Sequence, residues 1–242
     1  MSLLEAEVVN IRELFEETPS RQISYDANQV VSSLRNAGLI LREESTVELG
    51  CPQERPSARV LLYSNVPSGD LIHVVGEDTV VLQGRSVSFA QVVVITGKDL
   101  DAEGYYQFTL RHQRLLDQPG CMVKAMESNL WVRLATVDGE VPNLQRIGST
   151  MIGRIHQAFP KVEGVEVYFI VNRDGLVMTL SGFARKVYEA ANGIKEGVWK
   201  ERGFDWKSCQ LAGHCGNCSD KKTCVSVRKI EQKVRLKRRN QR

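Results

Sequence analysis

Four cysteines lie within sixteen residues near the C-terminal end of the chain, and this cluster restricts the fold more strongly than any other feature of the sequence. In the pattern C-x5-C-x2-C-x5-C they are Cys209, Cys215, Cys218 and Cys224. In a reducing compartment such a cluster indicates a metal site rather than disulfide bonds. Four thiolates are a complete ligand set for a tetrahedral zinc ion or for an iron–sulfur cubane.

The spacing of these cysteines favours iron–sulfur over zinc. Zinc ribbons join two C-x2-C pairs over a dozen or more residues, whereas this segment has one such pair with a single cysteine six positions away on each side. Gly213, Gly216 and Asn217 permit tight turns, and Lys221 and Lys222 offset the charge of an anionic cluster. The sequence predicts a [4Fe–4S] cluster bound by the four cysteines. Zinc is the alternative, and a metal loop that only stabilises the fold is a third hypothesis.

Basic residues are concentrated at the C-terminal end. Residues 221–242 contain ten Lys or Arg against one acid, whereas residues 1–220 carry a net charge of −6. A tail over residues 227–242 could neutralise phosphates, which makes a zinc-stabilised module that binds nucleic acid the alternative function. The tail also has apolar residues at helical spacing, so it could instead form an amphipathic helix that packs on the body or on a partner protein. A charged tail that is simply solvated is a further alternative.

The composition excludes several classes of protein. Of the 242 residues, 42% are hydrophobic and 25% are charged, which excludes disordered, collagenous and coiled-coil chains. Hydrophobic runs are too short to span a membrane, and the N-terminus is acidic and amphipathic, so we expect a soluble, cytoplasmic protein. Nucleotide-binding and hydrolase motifs are absent from the sequence, which leaves the catalytic residues unknown. The histidines are scattered and indicate structural roles, and Cys51 and Cys121 are expected to be small buried residues.

Hydrophobic periodicity predicts an α+β fold, with a mixed β-sheet body, packed helices and a small N-terminal helical extension. The cysteine pattern and the charge pattern add a C-terminal cysteine loop and a basic tail. Helices are predicted over residues 3–17, 26–35, 103–126 with a break near 118–120, 142–159 and 176–195. Strands are predicted over residues 39–50, 58–64, 70–75, 78–84, 89–96, 130–136 and 165–171. The predicted domains are a helical extension, the body, the metal-cluster loop and the tail, over residues 1–45, 46–200, 201–226 and 227–242.

Several segments together resemble a known enzyme family. Residues 206–209 (WKSC) and 224–228 (CVSVR) are similar to the two ends of the cluster segment of the CO-methylating acetyl-CoA synthase, the beta subunit of the CO dehydrogenase/acetyl-CoA synthase complex. Residues 130–134 (LWVRL), 156–160 (HQAFP) and 165–174 (VEVYFIVNRD) resemble segments of that family in the same order. The turn at residues 47–50 (VELG) with Pro52 also matches, so the likeness covers about residues 46–229.

The resemblance implies a protein of anaerobic one-carbon metabolism by the Wood–Ljungdahl pathway. In that family a [4Fe–4S] cluster is bridged to a pair of nickel ions, one held by a Cys-Gly-Cys motif, and acetyl-CoA is formed there by acyl transfer. This sequence contains no Cys-Gly-Cys motif, and its cysteine spacing differs from that of the family. We therefore expect a truncated relative that retains the cluster and lacks the nickel ligands. Its expected role is electron transfer or docking to a corrinoid protein, a methyltransferase or a CO dehydrogenase-like subunit, and whether it is an enzyme stays open.

Overall fold

A computed structural model describes residues 4–30, 46–51, 53–98, 101–115, 118, 120–136 and 141–201. Within these ranges it has four helices and two mixed sheets, which confirms the predicted α+β class. The helices are α1 Glu5–Glu16, α2 Ala102–Leu115, α3 Leu144–Ala158 and α4 Asp174–Glu201. The strands are β1 Arg21–Ser24, β2 Thr46–Leu49, β3 Ser57–Ser64, β4 Leu71–Gly76, β5 Ser86–Val87, β6 Phe89–Thr96, β7 Cys121–Met126, β8 Asn129–Ala135 and β9 Gly164–Val171.

The larger sheet has five strands in the order β1-β4-β9-β6-β3. Strand β9 is parallel to β4 and antiparallel to β6, while β3 runs parallel to β6 at one edge and β1 antiparallel to β4 at the other. All eight residues of β6 and of β9 are buried. Near-continuous apolar runs of this kind are typical of strands covered on both faces, which explains why the sequence predicts these two strands well.

The smaller sheet has four strands in the order β5-β2-β8-β7. Strands β7 and β8 form a hairpin, and β2 joins β8 antiparallel and β5 parallel. The hairpin turn contacts the larger sheet, because the backbone N–H of Arg59 in β3 donates to the carbonyl of Ser128 at 2.6 Å. This contact connects the two sheets at the edge strand β3.

Helices cover both faces of the larger sheet. On one face, Val8, Ile11 and Phe15 of α1 are buried, and the ring of Phe15 stacks on Tyr168 of β9 with the centroids 4.4 Å apart. On the opposite face, α3 approaches so closely that Gly148 lies against the side chain of Ile72. The two faces follow from the alternation of side chains along β4 and β9.

The N-terminal segment contributes to this sheet directly. Residues 4–30 include α1, whose apolar stripe is confirmed, and the edge strand β1, which pairs with β4 from Arg21 to Ser24. The chain divides into two compact units at residues 195 and 196, and the first of them contains both sheets. The domain limits predicted at residues 45 and 226 lie outside the described residues and stay predictions.

The strand predicted over residues 78–84 is wrong. The segment forms a single 3₁₀ turn, Thr79–Val81, in which Val80 and Val81 are exposed. The carboxylate of Asp78 accepts a hydrogen bond from the N–H of Thr79 at 2.8 Å and another from the N–H of Leu144, at the start of α3, at 3.2 Å. Local capping by Asp78 therefore outweighs the β propensity of the two valines.

The helix predicted as far as Met126 ends much earlier. Helix α2 stops at Leu115, and Gly120 takes a positive φ of 77° before β7 begins. Residues 121–126 are extended because β8 supplies a hairpin partner, with Cys121 opposite Leu134. Strand pairing is a non-local interaction that helical spacing within the segment does not reveal.

The helix predicted over residues 26–35 does not begin as expected. Asp26 accepts a hydrogen bond from the N–H of Asn28 at 2.9 Å, as a helix N-cap does, but only the 3₁₀ turn Ala27–Gln29 follows. Val30 then adopts an extended conformation. The remainder of that prediction, residues 31–35, and the part of the predicted strand before Thr46 lie outside the described residues.

In the ranges that the structure describes, no helix is both long enough and apolar enough to cross a bilayer.

The first prediction compares a glycine of the larger sheet with a glycine of helix α4. A Cβ on Gly164, at the start of β9, would lie far inside van der Waals contact with the carbonyl of Ser68, whereas a Cβ on Gly182 in α4 meets nothing within 4 Å. We expect Gly164→Ala to lower the free energy of unfolding by about 2 kcal/mol. Gly182→Ala should raise it by about 0.5–1 kcal/mol, because glycine is a poor helix former. Urea denaturation of both variants checks this, and equal effects would contradict it.

Candidate functional site

The predicted metal ligands Cys209, Cys215, Cys218 and Cys224 lie outside the described residues, as does the basic tail of residues 227–242. In the part of the chain that the structure describes, no group of three or more His, Cys, Asp or Glu side chains is placed to hold a metal ion. Cys121 is buried in β7, as expected, and Cys51 is partly buried. The predicted cluster therefore stays a prediction. The side-chain geometry that the structure describes is that of the body, the described residues of 46–201 with α1 and β1.

A cavity of about 200 Å³ lies on the face of the larger sheet that α2 and α4 cover. Its floor is formed by Arg59 and Leu61 of β3, and its walls by residues of the two helices. The wall residues are Tyr105, Tyr106, Thr109 and Leu110 of α2 and Val187, Tyr188, Ala191, Asn192 and Lys195 of α4. Glu127, in the β7–β8 turn, also lines the cavity.

Arg59 is the central charged group of this cavity. Its Nη2 donates to the carbonyl oxygen of Glu127 at 2.6 Å, and Glu127 has a positive φ of 50° in the β7–β8 turn. Among the described residues, no carboxylate lies within ion-pair distance of the guanidinium. Burial lowers the pKa of Arg59, and the nearby Tyr188 and Tyr105 hydroxyls partly oppose that shift. The guanidinium is thus partly desolvated without a neutralising partner.

Tyr105 supplies a neutral polar wall. Its side chain is 1% exposed, and its hydroxyl donates to the carbonyl of Leu61 at 2.8 Å. Burial raises the pKa of Tyr105 well above its usual range, and the charge of Arg59 only partly offsets this. The phenol therefore stays protonated at neutral pH and does not neutralise Arg59.

His112 lies on the same helix and is fully buried. Within the described structure, neither ring nitrogen has a hydrogen-bond partner, and Phe108 meets the ring edge-on at a centroid distance of 5.7 Å. Burial lowers the pKa of His112 well below its usual value, and the charge of Arg59 lowers it further. His112 is therefore a neutral imidazole within an apolar environment.

A second polar cluster lies on the opposite face of the sheet, beneath α1. Glu166 of β9 accepts hydrogen bonds from Arg12 Nη2 and from the Tyr168 hydroxyl, both at 2.9 Å. The imidazole of His73 stacks on the Tyr168 ring with the centroids 4.4 Å apart. Burial lowers the pKa of His73, although the Glu166 charge raises it. Every group in this cluster has a partner, so its chemistry is that of a structural anchor for α1.

Asp70 and His156 form a third contact. Asp70 Oδ1 lies 2.8 Å from His156 Nε2 and accepts the N–H of Val165 at 3.0 Å. The pair joins α3 to the start of β9. His73 and His156 thus make structural contacts, whereas the ring nitrogens of His112 have no hydrogen-bond partner in the described body.

Sequence reasoning did not single out the residues of the Arg59 cavity. Arg59 is surrounded in sequence by apolar residues of β3, and a charged residue within an otherwise buried strand was the available signal. Tyr105 of α2 and Tyr188 of α4 lie more than eighty positions apart in the sequence. Only the packing of α2 and α4 on the same face of the sheet brings them together.

Two comparisons with known proteins give no relative. No protein-family model matches the chain, and no curated protein matches it significantly. The resemblance to acetyl-CoA synthase rests on the sequence segments quoted above.

The second prediction follows from the burial of His112. A histidine that stays neutral in the folded chain but titrates near pH 6.5 when unfolded removes stability as the pH falls below about 6.5. We expect the free energy of unfolding to decrease by up to about 1.4 kcal/mol per pH unit from this residue alone. In His112→Leu, this contribution to the pH dependence of the free energy of unfolding should be absent between about pH 6.5 and 5.

Denaturant unfolding at several pH values measures this slope. His156→Gln is the matched control, since His156 is partly exposed and paired with Asp70. A slope in His112→Leu equal to that of the unmodified chain would show that His112 is protonated in the folded state.

Proposed function

We propose that the chain binds a [4Fe–4S] cluster through Cys209, Cys215, Cys218 and Cys224, and that it serves electron transfer or docking to a protein partner. The spacing C-x5-C-x2-C-x5-C carries this proposal, because it gathers four thiolates within sixteen residues. A bound cluster would supply a one-electron redox centre. The four cysteines would bind it as thiolates, and so its assembly would release their protons.

The residues between the cysteines fit this donor set. Gly213 and Gly216 would allow the backbone to turn tightly around a cluster, and their N–H groups would be available as donors to its sulfur atoms. Lys221 and Lys222 bring positive charge next to Cys224. A cluster held by four thiolates is anionic, so these cations favour its binding.

The likeness to acetyl-CoA synthase supports a place in anaerobic one-carbon metabolism. It suggests a corrinoid protein, a methyltransferase or a CO dehydrogenase-like subunit as the partner. The sequence contains no Cys-Gly-Cys motif for a nickel pair, and acetyl-CoA formation is not part of the proposal. A reducing cytoplasm is the proposed location, because four cysteines must remain thiolates.

The third prediction tests the cluster. After anaerobic purification, we expect about four irons per chain and a brown colour from thiolate-to-iron charge transfer, both lost in Cys218→Ser. The matched control is Cys51→Ser, because Cys51 is isolated in sequence from the cluster and is only partly buried in the described body. Unchanged iron content and absorbance in Cys218→Ser would reject the proposed ligand set.

The same measurement distinguishes the alternative function. One zinc per chain without colour would identify a zinc-stabilised module. Filter binding with a nucleic acid at low and moderate salt would then test the tail of residues 227–242, which has a strong excess of Lys and Arg. Nickel bound together with iron would instead indicate the chemistry of the complete enzyme.

A further inference from the structure

We infer that the cavity around Arg59 is a binding site for a small organic monocarboxylate. The site is separate from the proposed cluster ligands, and its argument does not depend on them. It rests on the charge of the cavity, on its shape and on the chemistry of its walls.

The positive charge in the cavity favours an anionic ligand. The Arg59 guanidinium is partly buried and donates a hydrogen bond to the backbone carbonyl of Glu127. Within the described body, its positive charge has no carboxylate partner. A guanidinium presents several N–H donors in one plane, and one bond to Glu127 leaves others for a ligand. Its planar geometry matches the two oxygens of a carboxylate.

The surrounding groups favour a single negative charge. Lys195 adds a cation to the lining, whereas Glu127 adds an exposed carboxylate that opposes a dianion. The hydroxyl of Tyr105 donates its hydrogen bond to the carbonyl of Leu61 and remains neutral. A carboxylate with one charge therefore fits better than a phosphate with nearly two.

The shape and the walls of the cavity define the rest of the ligand. At about 200 Å³ the space is smaller than the usual binding site for a drug-sized molecule, so it suits only a compact ligand. Leu61 on the floor and Val187 and Ala191 in the walls are apolar, and Tyr106 and Tyr188 contribute aromatic rings. These walls match a short branched or aromatic group attached to the carboxylate.

The fourth prediction uses benzoate as the probe and benzamide as its neutral counterpart of the same shape. We expect benzoate to bind the full-length chain in isothermal titration calorimetry and benzamide to bind at least about tenfold more weakly. Arg59→Gln should weaken benzoate binding by at least about tenfold. Arg185→Gln is the matched control, because Arg185 lies on α4 with a side chain 79% exposed and should leave binding unchanged.

Each alternative result has a defined meaning. Equal binding of benzamide, tighter binding of inorganic phosphate, or full binding by Arg59→Gln would overturn the assignment. Failure of benzoate, isovalerate and acetate alike to bind at millimolar concentration would overturn it as well. If Arg59→Gln does not fold, Ala191→Leu keeps the contact between Arg59 and Glu127 and fills the cavity from α4. That variant should lose benzoate binding, and retained binding would place the ligand elsewhere.

Discussion

Strand β9 is the element on which the rest of the described body depends. It is hydrogen-bonded on both sides, parallel to β4 and antiparallel to β6, and all eight of its residues are buried. Helix α1 packs on one of its faces and α3 on the other, and α4 begins three residues after it ends. A strand in this position determines where both faces of the sheet lie, and therefore which side chains reach the core.

The partly buried ion pair between Arg12 and Glu166 makes that arrangement specific. A carboxylate in a central strand is costly to desolvate, and Glu166 is compensated by the guanidinium of Arg12 and by the hydroxyl of Tyr168. A shift of β9 by one residue would turn Glu166 toward α3 and away from Arg12 on α1, while Tyr168 would move with it on the same strand. The pair thus disfavours the wrong register and holds α1 at a defined position on the sheet.

The described body and the cysteine segment carry different kinds of chemistry. The segment with Cys209 to Cys224 has soft thiolate ligands, which suit iron or zinc. The cavity of the body has instead the guanidinium of Arg59 among tyrosines and aliphatic side chains, which suits a small anion. The two proposals are independent, because neither uses a residue of the other.

The sequence by itself determined the elements whose signal is local. The amphipathic helices α1, α3 and α4 and the apolar strands β3, β4, β6, β8 and β9 were predicted because their periodicity reflects burial directly. The thiolate cluster was also visible in sequence, since its ligands are close neighbours along the chain, although its metal stays a prediction.

The tertiary structure decided what depends on distant partners. Strand β1 is polar and exposed at its edge, so only its pairing with β4 identifies it, and β7 is a strand only because β8 lies beside it. The Arg59 cavity likewise needs β3, α2 and α4 together. Periodicity reports which face of an element is buried, but it contains no information on which elements meet there.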